Sequence, residues 1–193
     1  MQVNVLLYDG YEALDAMGPV EVLGGMPEFS LCFVSLEGGP VKSWQGFTVN
    51  TVPIQTVPAA EVLLVPGARK LPQLEDAAFM DALRQAAEAS TYCLTVCTGS
   101  ALLCKTGLLD HKKATSNKMA FNWVKTLNDT VDWQGRARWV HDGKYFTASG
   151  ISAGQDMILD FVRELFGLER ARKEAQHIEY IWHEDSAEDP FGK

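Results

Sequence analysis

A chain of 193 residues is long enough to bury a full hydrophobic core and has the size of one domain, spanning residues 1–193. With 47% apolar and 22% charged residues, the composition is that of a globular protein and excludes a long disordered tract. The net charge of −8 and the lack of a basic run remove the electrostatic basis for binding nucleic acid, and no stretch approaches the roughly 18 apolar residues a membrane span needs.

The apolar run Val3 to Tyr8 reads as a first strand, closed by Asp9-Gly10. It begins without a basic leader, so the expected location is the cytoplasm. Met17 to Gly24 follows as a short helix with Pro19 placed as a first-turn proline. Ser30 to Leu36 reads as a strand, and Val41 to Trp44 with Phe47 to Val52 as a hairpin around Gln45-Gly46. Glu61 to Val65 is a strand stopped by Pro66-Gly67. Glu75 to Ala89 carries Phe79, Leu83 and Ala86-Ala87 at helical spacing, and Thr91 to Val96 returns as a strand. In the second half, Ala137 to His141 and Tyr145 to Ala148 flank Asp142-Gly143, a two-residue hairpin signal. A helix from about Ser152 to Phe166 stops at Gly167, a second runs from Leu168 to Tyr180, and the final residues form a docked or frayed tail.

This alternation predicts an α/β fold with a mostly parallel central sheet and helices on both faces. In such sheets ligands bind beyond the carboxyl ends of the strands. That directs attention to three loops, at Asp9 to Gly18, at Pro66 to Leu71 and at Cys97.

Four cysteines stand at 32, 93, 97 and 104, three of them in one strand-plus-helix segment, so reduced thiols are expected rather than a disulfide framework. No CxxC or HExxH pattern occurs and the four histidines are scattered, so no metal is expected. Cys97 ends an apolar strand and is followed at once by Thr98-Gly99-Ser100-Ala101, a helix start built of small residues. A nucleophile elbow has this layout, because bulky neighbours would collide across the sharp turn. Free amides at the helix start favour a thiolate, so Cys97 is expected to have a lowered pKa. Cys32, Cys93 and Cys104 lack the setting and read as core residues.

A nucleophilic thiol needs a proton partner, usually histidine. No histidine stands near in the sequence, and the available acids are Asp9, Glu12 and Asp15 of the first loop. Asp15 has a competing reading as a helix N-cap ahead of Gly18-Pro19. The tryptophans at 123, 133, 139 and 182 read as core or dimer-contact residues, and Trp44 as an interface anchor.

Several short motifs occur in consistent order: Leu14-Asp15-Ala16-Met17-Gly18-Pro19, Val65-Pro66-Gly67, Val96-Cys97-Thr98-Gly99-Ser100, Gly107-Leu108-Leu109 and Gly150-Ile151-Ser152-Ala153-Gly154. Together they resemble the ThiJ/PfpI superfamily, and within it the isonitrile hydratase branch. The resemblance implies a flavodoxin-like three-layer sandwich, a homodimer, a small-molecule substrate and no cofactor. It places the catalytic pair on Cys97 and Asp15. Thr98, with the amides near Gly67 and Ala68, would hold developing negative charge, and the turn at Gly150-Ile151 would close the pocket. The implied reaction is attack of the Cys97 thiolate on an isonitrile carbon, with Asp15 moving the proton and water releasing an N-substituted formamide. The chain departs from the pattern at Asn117, where many relatives carry a histidine, and at Ala68 and Ser149, where glycine is usual. The alternatives are a glyoxalase or deglycase using a glutamate such as Glu12, and a redox sensor in which Cys97 is oxidised.

Overall fold

The computed structural model describes residues 1–192. A first crossover joins β1 (Gln2–Leu6), α1 (Ala13–Gly24) and β2 (Ser30–Ser35), and a hairpin of β3 (Gly39–Lys42) and β4 (Thr48–Pro53) follows. Next come β5 (Val62–Val65), α2 (Ala77–Ala89), β6 (Tyr92–Val96) and α3 (Gly99–Lys105). A small excursion made of β7 (Lys113–Ala114), α4 (Phe121–Lys125) and β8 (Asp132–Trp133) leads to the hairpin of β9 (Trp139–Asp142) and β10 (Tyr145–Ala148). The helices α5 (Ala153–Phe166) and α6 (Leu168–His177) complete the fold.

The main sheet has the order β3-β4-β2-β1-β5-β6-β10-β9. Neighbours from β4 to β10 run parallel, and only the edge strands β3 and β9 pair antiparallel. The unbroken apolar run Val62 to Val65 is buried throughout, as a strand covered on both faces requires. From β1 the chain steps to one side to reach β2, whereas from β5 it steps to the other side to reach β6 and later β10. Right-handed crossovers therefore put α1 on one face and α2 and α3 on the other. The packing agrees: α1 lies against α5 and α5 against α6, while α2 meets α3. The reversal of direction between β1 and β5 opens a crevice at their carboxyl ends, where α/β folds bind ligands.

Three boundaries differ from expectation. Helix α1 begins at Ala13, four residues earlier than predicted, so Pro19 lies inside it. Its missing N–H releases the carbonyl one turn back, a cost offset by burial of Ala16, Pro19 and Leu23 on one face. Helix α6 ends at His177 rather than Tyr180, because Glu179 has φ +51° and cannot continue a right-handed helix. The excursion from β7 to β8 was not foreseen, since two-residue strands carry no periodic signal. The tail is docked: Asp189 is buried and its N–H donates to the Arg136 carbonyl at 2.8 Å.

Candidate active site

At the end of β6 the chain turns through Cys97 with φ +59°, a left-handed conformation that non-glycine residues hold only when their surroundings enforce it. The enforcement is visible. Cys97 donates its N–H to the carbonyls of Ala148 (3.2 Å) and Ser149 (2.8 Å) at the end of β10. Its carbonyl accepts the hydroxyls of Ser100 (3.1 Å) and Ser116 (3.0 Å). Gly99 lets the turn pass against β5, because a Cβ there would lie 2.3 Å from the Val65 carbonyl oxygen. The elbow geometry read from Cys97-Thr98-Gly99 is therefore present.

Asp15 sits in the first turn of α1, and the N-cap position belongs to Glu12, whose side chain makes no capping bond. The N-cap reading of Asp15 is thereby overturned. Its carboxyl is fully buried, with Oδ2 accepting the Gly67 N–H at 3.0 Å and Oδ1 left without a hydrogen-bond partner. Burial pushes its pKa up to about 7; the Gly67 N–H opposes the shift, the nearby Glu12 charge adds to it, and the Cys97 thiol also opposes it.

The lowered pKa expected for Cys97 is corrected by the same surroundings. Burial pushes the thiol up and the Asp15 charge pushes it further, outweighing the amides of Thr98 and Ile151 and the Asn117 side chain, which favour the thiolate. Helix α3 has only seven residues, too short to overcome the loss of water around a buried sulfur. Thiol and carboxyl thus act on one another, and their protons belong to the pair rather than to either group.

The expected oxyanion donors are also redistributed. The Gly67 N–H is engaged by Asp15, and the Ala68 N–H donates to Thr98 Oγ1 at 2.9 Å while that hydroxyl donates back to the Ala68 carbonyl at 2.8 Å. These bonds orient Asp15 and lock Thr98 instead of facing the cavity. A Cβ at Gly67 would come within 2.5 Å of the Thr98 nitrogen and 3.0 Å of Asp15 Oδ2, so only glycine fits. The groups that remain directed at the sulfur are the amides of Thr98 and Ile151 and the side-chain amide of Asn117. Asn117 Oδ1 accepts the N–H groups of Met119 (2.9 Å) and Ala120 (3.1 Å), which turns its NH2 group toward the thiol.

A model of the DJ-1/PfpI family matches residues 1–164. The chain belongs to this family. It is 33% identical over 182 residues to the isonitrile hydratase of Pseudomonas putida, an alignment covering 93% of this chain and 78% of that one. Among solved structures, a ThiJ/PfpI family protein from Pseudomonas syringae matches with a TM-score of 0.85 and 28% identity over 93% of this chain and 74% of that one. Drosophila melanogaster DJ-1beta matches in fold, with a TM-score of 0.81 and 20% identity over 94% and 98% of the two chains.

In this DJ-1/PfpI chain a cavity of about 630 Å³ opens over Cys97. Cys97, Thr98, Ala68 and Ile151 line it, whereas Asp15, Gly67 and Gly150 are not among its lining residues. Gly150 leaves room for Asn117, whose Nδ2 would lie 3.1 Å from a Cβ at that position. Glu12 also reaches the cavity, but it is engaged by Gln45 and by Arg69 (3.7 Å), whose guanidinium lies 5.2 Å over the Trp44 ring. No histidine is among the lining residues. The sequence reading pointed to the loop at Pro66 to Leu71, which supplies Arg69, Lys70 and Leu71, but it missed Met119 and Trp123 as cavity walls. Met119 and Trp123 arrive on the unforeseen excursion about twenty residues after Cys97, and no local pattern links them to it. Cys93 and Cys104 are buried core thiols raised to about 12, as their core reading requires.

Proposed function

We propose that the chain is an isonitrile-hydrating lyase that uses Cys97 as nucleophile and Asp15 as the group that moves the proton. The observation that supports this reading best is the pairing itself: a strained elbow thiol at the wall of a cavity lined by no histidine acts on the buried Asp15 carboxyl, held near neutrality at about 7. A carboxyl at that pKa can both accept and return a proton at neutral pH. Similarity to the Pseudomonas putida isonitrile hydratase supports the same substrate class.

The steps balance as follows. The sulfur of Cys97 bonds to the terminal isonitrile carbon as its proton passes to Asp15 and from there to that carbon, giving a thioimidate. Thr98 and Ile151 amides and the Asn117 amide steady the charge on sulfur as the thiol ionises. Water then adds to the thioimidate carbon, the carbon–sulfur bond breaks, and the nitrogen takes up the proton that leaves an N-substituted formamide and a restored thiol. Addition of water is redox-neutral, so the sequence of steps needs no oxidant or reductant.

Arg69 and Gln45 occupy the Glu12 carboxyl, which counts against a glutamate-based glyoxalase in this cavity. The test is direct: purified protein is incubated with cyclohexyl isonitrile and formamide is followed by chromatography, beside a known hydratase. Formation of formamide that disappears in Cys97→Ser supports the proposal, and no formamide while the known hydratase turns over sinks it. The proposed setting is a cytoplasmic homodimer, which light scattering of the purified protein checks at the level of assembly.

A further inference from the structure

Behind the Cys97 wall lies a cluster of charged side chains that the proposed reaction does not touch. Arg138, just before β9, donates Nε to Asp156 Oδ2 of α5 at 2.7 Å, and both groups are buried. The other Asp156 oxygen accepts the Tyr180 hydroxyl at 3.1 Å and the His183 N–H at 2.9 Å. Those bonds fasten the beginning of the segment that follows α6. Its far end is fastened by Asp189, whose buried carboxylate accepts the Ser149 hydroxyl and lies 3.7 Å from Arg138 Nη1. Lys118 faces the same carboxylate and donates to Thr115 Oγ1 at 2.8 Å and to the Ala137 carbonyl.

Ser149 connects this cluster to the elbow. Its carbonyl accepts the Cys97 N–H at 2.8 Å and its own N–H donates to the Arg138 carbonyl at 2.8 Å. The next residue, Gly150, abuts Asn117, and the Ile151 amide faces the Cys97 sulfur. A side chain that holds the Ser149 hydroxyl from behind therefore fixes the one turn that grips Cys97 through both a carbonyl and an amide.

We propose that Asp189 is a positioning residue for the elbow: keyed to Ser149 and Arg138, the carboxy-terminal strap of residues 178–192 holds the 149–151 turn against Cys97. The strap lies beyond residue 164, where the match to the family model ends. The inference rests on the reading of Cys97 as the reacting thiol, but not on the identity of its substrate.

The experiment follows the rate of Cys97 alkylation by iodoacetamide at about pH 8, resolved by peptide mass spectrometry, with thermal melts run in parallel. Ser149→Ala and Asp189→Ala are each expected to slow that reaction about tenfold, because misaligning one donor to a thiolate raises the thiol further and lowers the thiolate fraction in proportion. The double variant adds nothing further, since both substitutions break the same link. Asp189→Asn, which still accepts the Ser149 hydroxyl, keeps most of the native rate. A role confined to stability lowers the melting point and leaves the rate in place, which overturns the proposal. Ser149→Ala that folds and keeps the native rate overturns it too, even where Asp189→Ala fails to fold. Native Cys97 that alkylates no faster than the buried Cys93 and Cys104 overturns it together with the proposed function. A slowed rate in a chain that hydrates no isonitrile sinks only the proposed function.

Discussion

Burial of Asp15 has two opposed consequences, one for stability and one for activity. In the unfolded chain this carboxyl loses its proton near its ordinary value of 3.8, whereas in the folded chain it keeps it to about 7. Across that window the folded state binds the extra proton, so stability falls as pH rises from about 4 to about 7. Asp15→Asn is therefore expected to melt higher than the native protein at alkaline pH, with the difference vanishing below about pH 4; equal melting points at every pH, followed by circular dichroism, would count against the burial argument. The same substitution removes the group proposed to move the proton, and on that proposal formamide formation is expected to drop by roughly 10²–10⁴-fold. Turnover by the native chain should rise with pH through a midpoint of about 7, where the pair gives up its first proton, and a pH–rate profile reads that limb directly. Asn117 shows how one residue can be understood from sequence in what it cannot do and only from structure in what it does: neutral, it is no base, yet its amide reaches the sulfur.

The elbow works as an element because β5, β6 and the start of α3 pass closer than any side chain allows. Gly99→Ala forces a carbon to 2.3 Å from the Val65 carbonyl, and Gly67→Ala one to 2.5 Å from the Thr98 nitrogen; in both cases the obstacle is backbone. Each is expected to cost about 1–3 kcal/mol or more in urea unfolding, and Gly67→Ala to displace Asp15 as well, with a fall in activity. Gly143 offers the contrast, since its turn has φ +64° but open space around it. Gly143→Ala should cost only about 1 kcal/mol and leave turnover unchanged, and a large loss of activity there would show that the hairpin communicates with the site. The elbow, the β9–β10 hairpin and the main buried strands were readable from the sequence because each depends on a local signal: a small-residue turn, an Asp-Gly pair, an apolar run. The start of α1 was not, because burial of a face by tertiary packing overrode the proline that suggested a later beginning.

Over the whole molecule, the buried Arg138–Asp156 pair ties the sheet edge, α5 and the segment after α6 together. Asp156→Ala leaves the Arg138 guanidinium buried with only the more distant Asp189 to balance it, so a loss of about 3–5 kcal/mol is expected in denaturant unfolding; a change under about 1 kcal/mol would mean that water or a rearranged Asp189 replaces the carboxylate. Arg138, Asp156 and the segment after α6 are far apart in sequence, and nothing in the local patterns of Arg138 and Asp156 marks them as charges destined for the interior. The sequence by itself determined the α/β class, the elbow cysteine and its resemblance to ThiJ/PfpI proteins, because periodicity, turn chemistry and short motifs are properties of neighbouring residues. Only the tertiary structure decided that Asp15 is a buried carboxyl within α1 rather than its cap, that the Gly67 and Ala68 amides are engaged elsewhere, and that the Cys97 thiol is raised rather than lowered. Those outcomes depend on how much water is excluded and on which donor reaches which acceptor across the sheet, and both are fixed by packing between segments far apart in the chain.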